Sequence, residues 1–165
     1  MADVDGFDDL YQGSRRRLLG YVFALTGDLA EAQDVVQEAF VRAWQRWSTV
    51  RRHPNPEAWV RLVAGRLAVS RWRGRRSRAR AHVRYGPSAA VDGPGPDTVA
   101  VVDALRTLPE AQRVALALHY VLGYSVADIA RETGVPVGTV KARMSRGRAA
   151  LAVRLADDSE DSTYA

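Results

Sequence analysis

The chain contains no cysteine in 165 residues. That excludes a disulfide framework and any metal site built on thiolates. Histidine is nearly as scarce: His53, His82 and His119 stand far apart and share no ligand spacing, so no metal is expected. No apolar run approaches the length of a membrane span. The acidic opening MADVDGFDDL argues against a signal or transit peptide, and a cytoplasmic location is expected. There is no Gly-rich phosphate cradle. Ser125 and Ser145 have no His partner at a nucleophile's spacing, so neither an enzyme nor a cofactor is expected. Internal repeats are absent. Lysine occurs once, at Lys141, which leaves arginine to supply 23 of the 24 basic residues.

What is present is arginine, unevenly placed. Residues 1–50 carry a net charge of −3 and residues 87–165 a net charge of −2. Residues 51–86 carry eleven arginines against a single acid, Glu57, a net of +10. Compositional bias explains Arg over Lys. It does not explain the missing acids, and a block of this kind points to a polyanion partner.

The most organised stretch is Tyr124 to Leu151, YSVADIARETGVPVGTVKARMSRGRAAL. Ser125 stands as an N-cap, and Asp128 three residues on can return the hydrogen bond, as in a capping box. Val126, Ile129 and Ala130 share one helical face. Gly134 supplies the positive φ that ends this helix, and Pro136 suits the first turn of the next. There Val140, Met144, Gly147 and Leu151 fall on one side. Thr139, Arg143 and Arg146 line one solvent flank, and Lys141, Ser145 and Arg148 line the other. An ordinary solvated basic helix would explain the cations alone. It would not also require a cap, a Gly turn and a Pro start at helix-turn-helix spacing. A helix with this front suits a DNA major groove, where Arg reads guanine edges and Thr, Ser and Lys contact bases or phosphates.

Earlier in the chain, periodicity predicts a helix over about 6–25, with Phe7, Leu10, Tyr11, Ser14 and Leu18 at helical spacing. A second is predicted over about 29–47, capped by Asp28 with Glu31 completing a box. Its apolar stripe is Ala32, Val35, Val36, Ala39, Phe40, Ala43, Trp44 and Trp47. Asp34, Gln37, Glu38 and Arg42 fall off that stripe, and their plainest reading is a solvated face with an i,i+4 Glu38–Arg42 pair. After a loop over 48–54, Asn55-Pro56-Glu57 opens a third helix, in which Trp59, Leu62, Val63, Leu67 and Val69 are expected to face inward. Arg61, Arg66, Arg71, Trp72, Arg73, Arg75 and Arg76 crowd the remainder. That set suits phosphate contact and base stacking on unpaired DNA; for Trp72 a core position is an equal reading.

Gly and Pro break up residues 77–96, which read as a flexible linker. Asp97 is expected to cap a fourth helix with Val99, Val102 and Leu105 inward. Pro109-Glu110 opens a fifth, where Val114, Leu116, Leu118 and Val121 pack before Gly123. Residues 156–165 are acidic and are expected to be a disordered tail. The expected fold is all-α. Two small helical domains, residues 1–76 and 97–155, flank the linker, and the second holds the helix-turn-helix.

SVADIARETGV followed by GTVKARMSRGRAAL resembles region 4 of bacterial sigma factors. EAQDVVQEAFVRAW followed by EAWVRLVAGRLAVSRWRGRR resembles region 2 of the extracytoplasmic-function, or group 4, sigma factors. Together they cover about residues 7–76 and 97–155, and their order and spacing are more specific than either motif. The resemblance implies a factor that binds core RNA polymerase and directs initiation at promoters. It places the β′ coiled coil on Asp34, Gln37 and Glu38, with Arg42 a neighbour. It places the −10 element on Arg61, Arg66, Arg71, Trp72, Arg73, Arg75 and Arg76. It places the −35 element on Thr139, Lys141, Arg143, Ser145, Arg146 and Arg148, and the β flap on LPEAQRVALALHYVLGYS. The family often has Asn where Arg66 stands and Asp where Ser70 stands, and Arg is not a conservative replacement for a base-facing Asn. An anti-sigma factor is a further candidate partner that no residue identifies. A regulator that binds duplex DNA and never joins the polymerase would explain residues 97–155 as well, but not an acidic-polar helix paired with an Arg/Trp block.

Overall fold

A computed structural model describes the backbone of residues 2–79 and 95–161. Among them are eight helices and no strand: α1 (Ala2–Thr26), α2 (Leu29–Gln45), α3 (Trp47–Val50), α4 (Pro56–Ala79), α5 (Pro96–Arg106), α6 (Glu110–Tyr120), α7 (Val126–Thr133) and α8 (Val137–Asp161). They form two compact units, within Met1–Ala90 and Val91–Ala165. Residues 80–94, most of the expected linker, lie outside the described residues.

In the first unit α1, α2 and α4 pack on one another. Leu18, Val22 and Leu25 of α1 are buried, and so is the face of α2 that its periodicity requires, Ala32, Val35, Val36, Ala39, Phe40 and Ala43. Phe7 sits edge-on to Phe40, Trp44 and Trp47, and Tyr11 is edge-on to Phe40 at 4.8 Å. Trp44 is nevertheless 48% exposed, so it rims the core rather than filling it. The chain leaves the helix at Arg46 (φ −117°), which ends α2 at Gln45. The one-turn α3 then stands where a plain loop was expected, and Val50 is buried.

The inward face of α4 differs from the expected one. Val60, Arg61, Ala64 and Ala68 are buried, while Leu62 is 37% exposed and Trp59, Val63, Leu67 and Val69 are half-buried. Small residues win because α1 and α4 approach closely: a Cβ added at Gly65 would lie 3.1 Å from the Tyr21 hydroxyl. Large side chains are displaced to the flanks of so tight a contact. The helix also runs through residues 77–79, three positions into the expected linker.

In the second unit α8 packs against α5, α6 and α7. Its core holds Val102, Leu105, Leu108, Leu116, Leu118, Ile129, Val140 and Met144. Val99 and Val121, expected inside, are exposed. Asp97 is not the cap of α5: Gly95 holds that position, Pro96 opens the helix and Asp97 lies in its first turn. Its carboxylate still favours that end of the helix dipole. Beyond Gly147, α8 meets no Gly or Pro and a run of strong helix formers, Ala149 to Ala156. It continues to Asp161, so residues 156–161 extend a helix where a disordered tail was expected.

Candidate nucleic-acid interface

The helix-turn-helix forms by the local chemistry expected of it. The Ser125 hydroxyl accepts from the Asp128 N–H at 3.1 Å, and the Asp128 carboxylate accepts from the Ser125 N–H at 3.1 Å. Gly134, at φ 69°, ends α7 in the left-handed region, where a side chain would be strained. Val140, Met144 and Gly147 turn α8 inward. Lys141, Ser145, Arg146 and Arg148 are exposed, and Thr139 and Arg143 are half-buried beside them. All six predicted residues therefore lie on the outer or flanking surface of one helix.

The α2 strip is also assembled on one face. Asp34, Gln37 and Arg42 are exposed, and Glu38 is half-buried between two cations. Glu38 Oε1 accepts from Arg42 Nη2 at 2.6 Å, and Glu38 Oε2 accepts from Arg71 Nη2. Val41 and Trp44, both nearly half exposed, extend the strip with an apolar end.

The arginines of α4 divide. Arg66 and Arg73 are exposed, together with Ser70, on the side opposite Val60, Ala64 and Ala68. Arg61 is 5% exposed and does not present to an outside ligand. Arg71 and Arg75 also turn inward. Arg75 pairs with Glu31, approaches Asp28 Oδ2 at 3.8 Å, and donates to the Thr26 carbonyl at 3.2 Å. Asp28 caps α2 by accepting from the Glu31 N–H at 3.0 Å. Glu31 does not complete the expected box, because its carboxylate is taken by Arg75. Burial pushes the Glu31 carboxyl above its ordinary 4.5, and Arg75 opposes that rise. Trp72 is half-buried, and the side chain of Arg76 lies outside the described residues.

Family comparisons agree with this division into two units. Residues 10–78 match the family model of sigma-70 region 2, and residues 98–151 match that of sigma-70 region 4. The chain is 33% identical to the ECF RNA polymerase sigma factor SigL of Mycobacterium tuberculosis, over 88% of this chain and 86% of that one. The chain belongs to the ECF sigma factors. It is also 28% identical to the ECF RNA polymerase sigma factor SigW of Bacillus subtilis, over 94% of this chain and 91% of that one. The fold is that of the sigma factor RpoE of Bartonella quintana, solved with the anti-sigma factor NepR: TM-score 0.74 at 24% identity, covering 91% of this chain and 96% of that one.

As an ECF sigma factor the protein directs promoter-specific transcription initiation. The presence of both regions in one chain sets aside the lone DNA-binding regulator. Sequence reasoning passed over two features. Arg46 and Arg52 are exposed on either side of α3, ahead of α4, and Arg52 already stood in the basic block. Arg113 is 1% exposed inside the second unit, and no local pattern marks it as a core residue.

One pH dependence belongs to the helix-turn-helix of this sigma factor. The Ser125 hydroxyl, then the Ser125 backbone N–H, and more weakly Arg131, hold the Asp128 carboxyl below its ordinary 3.8. A depressed folded value means the contribution is complete above 3.8 and is lost as pH falls below it. Acid titration of the full chain should therefore show an α7 transition below pH 3.8 that is missing from Asp128→Asn. A variant with the same transition as the wild type would remove the box from the account.

Proposed function

We propose that this sigma factor meets core RNA polymerase through the outer strip of α2. Asp34, Gln37, Glu38 and Arg42 would face the β′ coiled coil, and the front half of the second unit would face the β flap. Arg66 and Arg73 grip the unpaired −10 strand, with Trp72 as a stacking surface and Arg76 a further candidate. Arg61, Arg71 and Arg75, turned inward, take no DNA contact in this reading. The first half of α8 enters the −35 major groove, with Thr139, Arg143 and Arg146 toward bases and Lys141, Ser145 and Arg148 toward phosphates. The observation that carries the reading is that α4 and α8 each turn cations outward, opposite a buried stripe. The protein then contributes binding rather than catalysis, in the cytoplasm where polymerase and promoters are. An anti-sigma factor covering either unit would block initiation. Each DNA contact is weak alone, and one polymerase holding both units raises their effective concentration.

The base and phosphate assignments are separable. Arg143→Ala should lower initiation about 5- to 150-fold at the preferred −35 sequence, the equivalent of about 1–3 kcal/mol, and relax discrimination there. Lys141→Ala should weaken all −35 sequences alike and reduce the salt slope by about one. Transcription from a panel of −35 variants at several salt concentrations distinguishes them. Equal effects of both changes on every sequence would show the two flanks to be wrongly assigned.

A further inference from the structure

The fully buried stripe of α4 ends at Ala68, yet the helix continues to Ala79. Two arginines lie along the inner side of that continuation. Arg71 reaches Glu38, and Arg75 reaches Glu31, Asp28 and the Thr26 carbonyl. The order is antiparallel: the later arginine meets the earlier acids of α2. Glu31 lies seven residues before Glu38, two helical turns along the same side of α2. The Glu31 side chain is only 14% exposed, so its carboxylate depends on the guanidinium rather than on water. Arg66, Ser70 and Arg73 face outward from the same stretch of α4. A helix free to turn by one residue would swing those three about 100° away.

We propose that Arg71 and Arg75 are positioning residues of the promoter-binding surface, which clamp the C-terminal half of α4 along α2 so that Arg66 and Arg73 face DNA together. This rests on the reading that the outer side of α4 meets the −10 strand. It also reassigns two residues that the basic block would count as DNA ligands. Arg75, held by three oxygens of its own chain, and Arg71, held by one, are withdrawn from phosphate, and their removal releases no counterion from DNA.

Opposite signs make the test decisive. The full chain is assembled with core polymerase, and binding to a promoter carrying an unpaired −10 segment is measured against salt. Each variant is assayed well below its own melting temperature. Arg75→Ala and Glu31→Gln should each weaken binding about 3- to 10-fold with the salt slope unchanged. The double variant should be no weaker than the worse single one, since both break the same contact. Arg73→Ala should reduce the slope by about one. A clamp that served stability alone would lower the melting temperatures and leave affinity untouched. The proposal is overturned if Glu31→Gln tightens binding by freeing Arg75 for a phosphate. It is equally overturned if Arg75→Ala reduces the slope, or if neither change alters affinity. Should Arg66→Ala and Arg73→Ala both leave the slope alone, the DNA-facing reading of α4 fails separately.

Discussion

Glu38→Arg is expected to take the sigma factor off core RNA polymerase. In the wild type, Glu38 neutralises Arg42 and Arg71 at once, one oxygen to each. Reversal would place three guanidinium groups together on a strip otherwise carried by Asp34 and Gln37. Losing one partner of a desolvated charge pair at an interface costs about 2–5 kcal/mol, and repulsion adds to it. A loss on the order of 100-fold or more in affinity for core follows, visible as failure to co-elute on a sizing column. Asp34→Arg supplies the control for local damage. Asp34 is exposed and makes no ion pair among the described residues, so its reversal disturbs the strip without releasing Arg71. It should weaken core binding in the same direction by less. Normal co-elution of Glu38→Arg would remove α2 as the docking face.

Gly147→Val should destabilise the second unit selectively. Here α8 crosses α6 at close range: even one added Cβ would lie 2.7 Å from Leu116 Cδ1 and 3.4 Å from Gln112 Cβ. Leu116 is itself buried, so it has little room to turn aside. Valine adds two further methyl groups and a β-branch that suits a helix poorly. Overpacking of this kind costs about 3 kcal/mol at the upper end of its usual range. For a unit of this size that lowers the melting temperature by about 12–24 °C. The helical signal should split into two transitions, with the lower one accompanied by loss of −35 dependence. Adding Leu116→Ala should recover part of the loss by opening space opposite residue 147. A single unshifted transition for Gly147→Val would mean that the α6–α8 contact is looser than described.

How much of this was legible in the sequence depends on how local each determinant is. Ser125, Asp128, Gly134 and Pro136 act within a few residues of themselves, and the turn they specify formed as read. The buried face of α2 likewise follows from its own period, apart from Trp44 at its edge. The face of α4 did not. Trp59, Leu62 and Leu67 outweigh Ala64 and Ala68 by hydrophobicity. The contact is instead set by how closely Tyr21 on another helix approaches Gly65. The arginines of α4 look alike in sequence, and their sorting depends on where α2 presents Glu31 and Glu38. Partners 33 and 44 residues apart leave no periodic trace. The missing reciprocal bond of the Asp28 cap has the same origin, since Arg75 arrives from outside the local window.

The aromatic cluster at Phe7 gives the molecule a built-in optical label. All four tryptophans, Trp44, Trp47, Trp59 and Trp72, belong to the first unit, and the second has none. Indole emission therefore originates in region 2 alone. Trp44, half in water beside Phe7 and at the apolar end of the α2 strip, is placed to lose that water when a partner covers the strip. On the proposed docking of polymerase at this strip, a blue shift of the Trp44 contribution would mark its arrival.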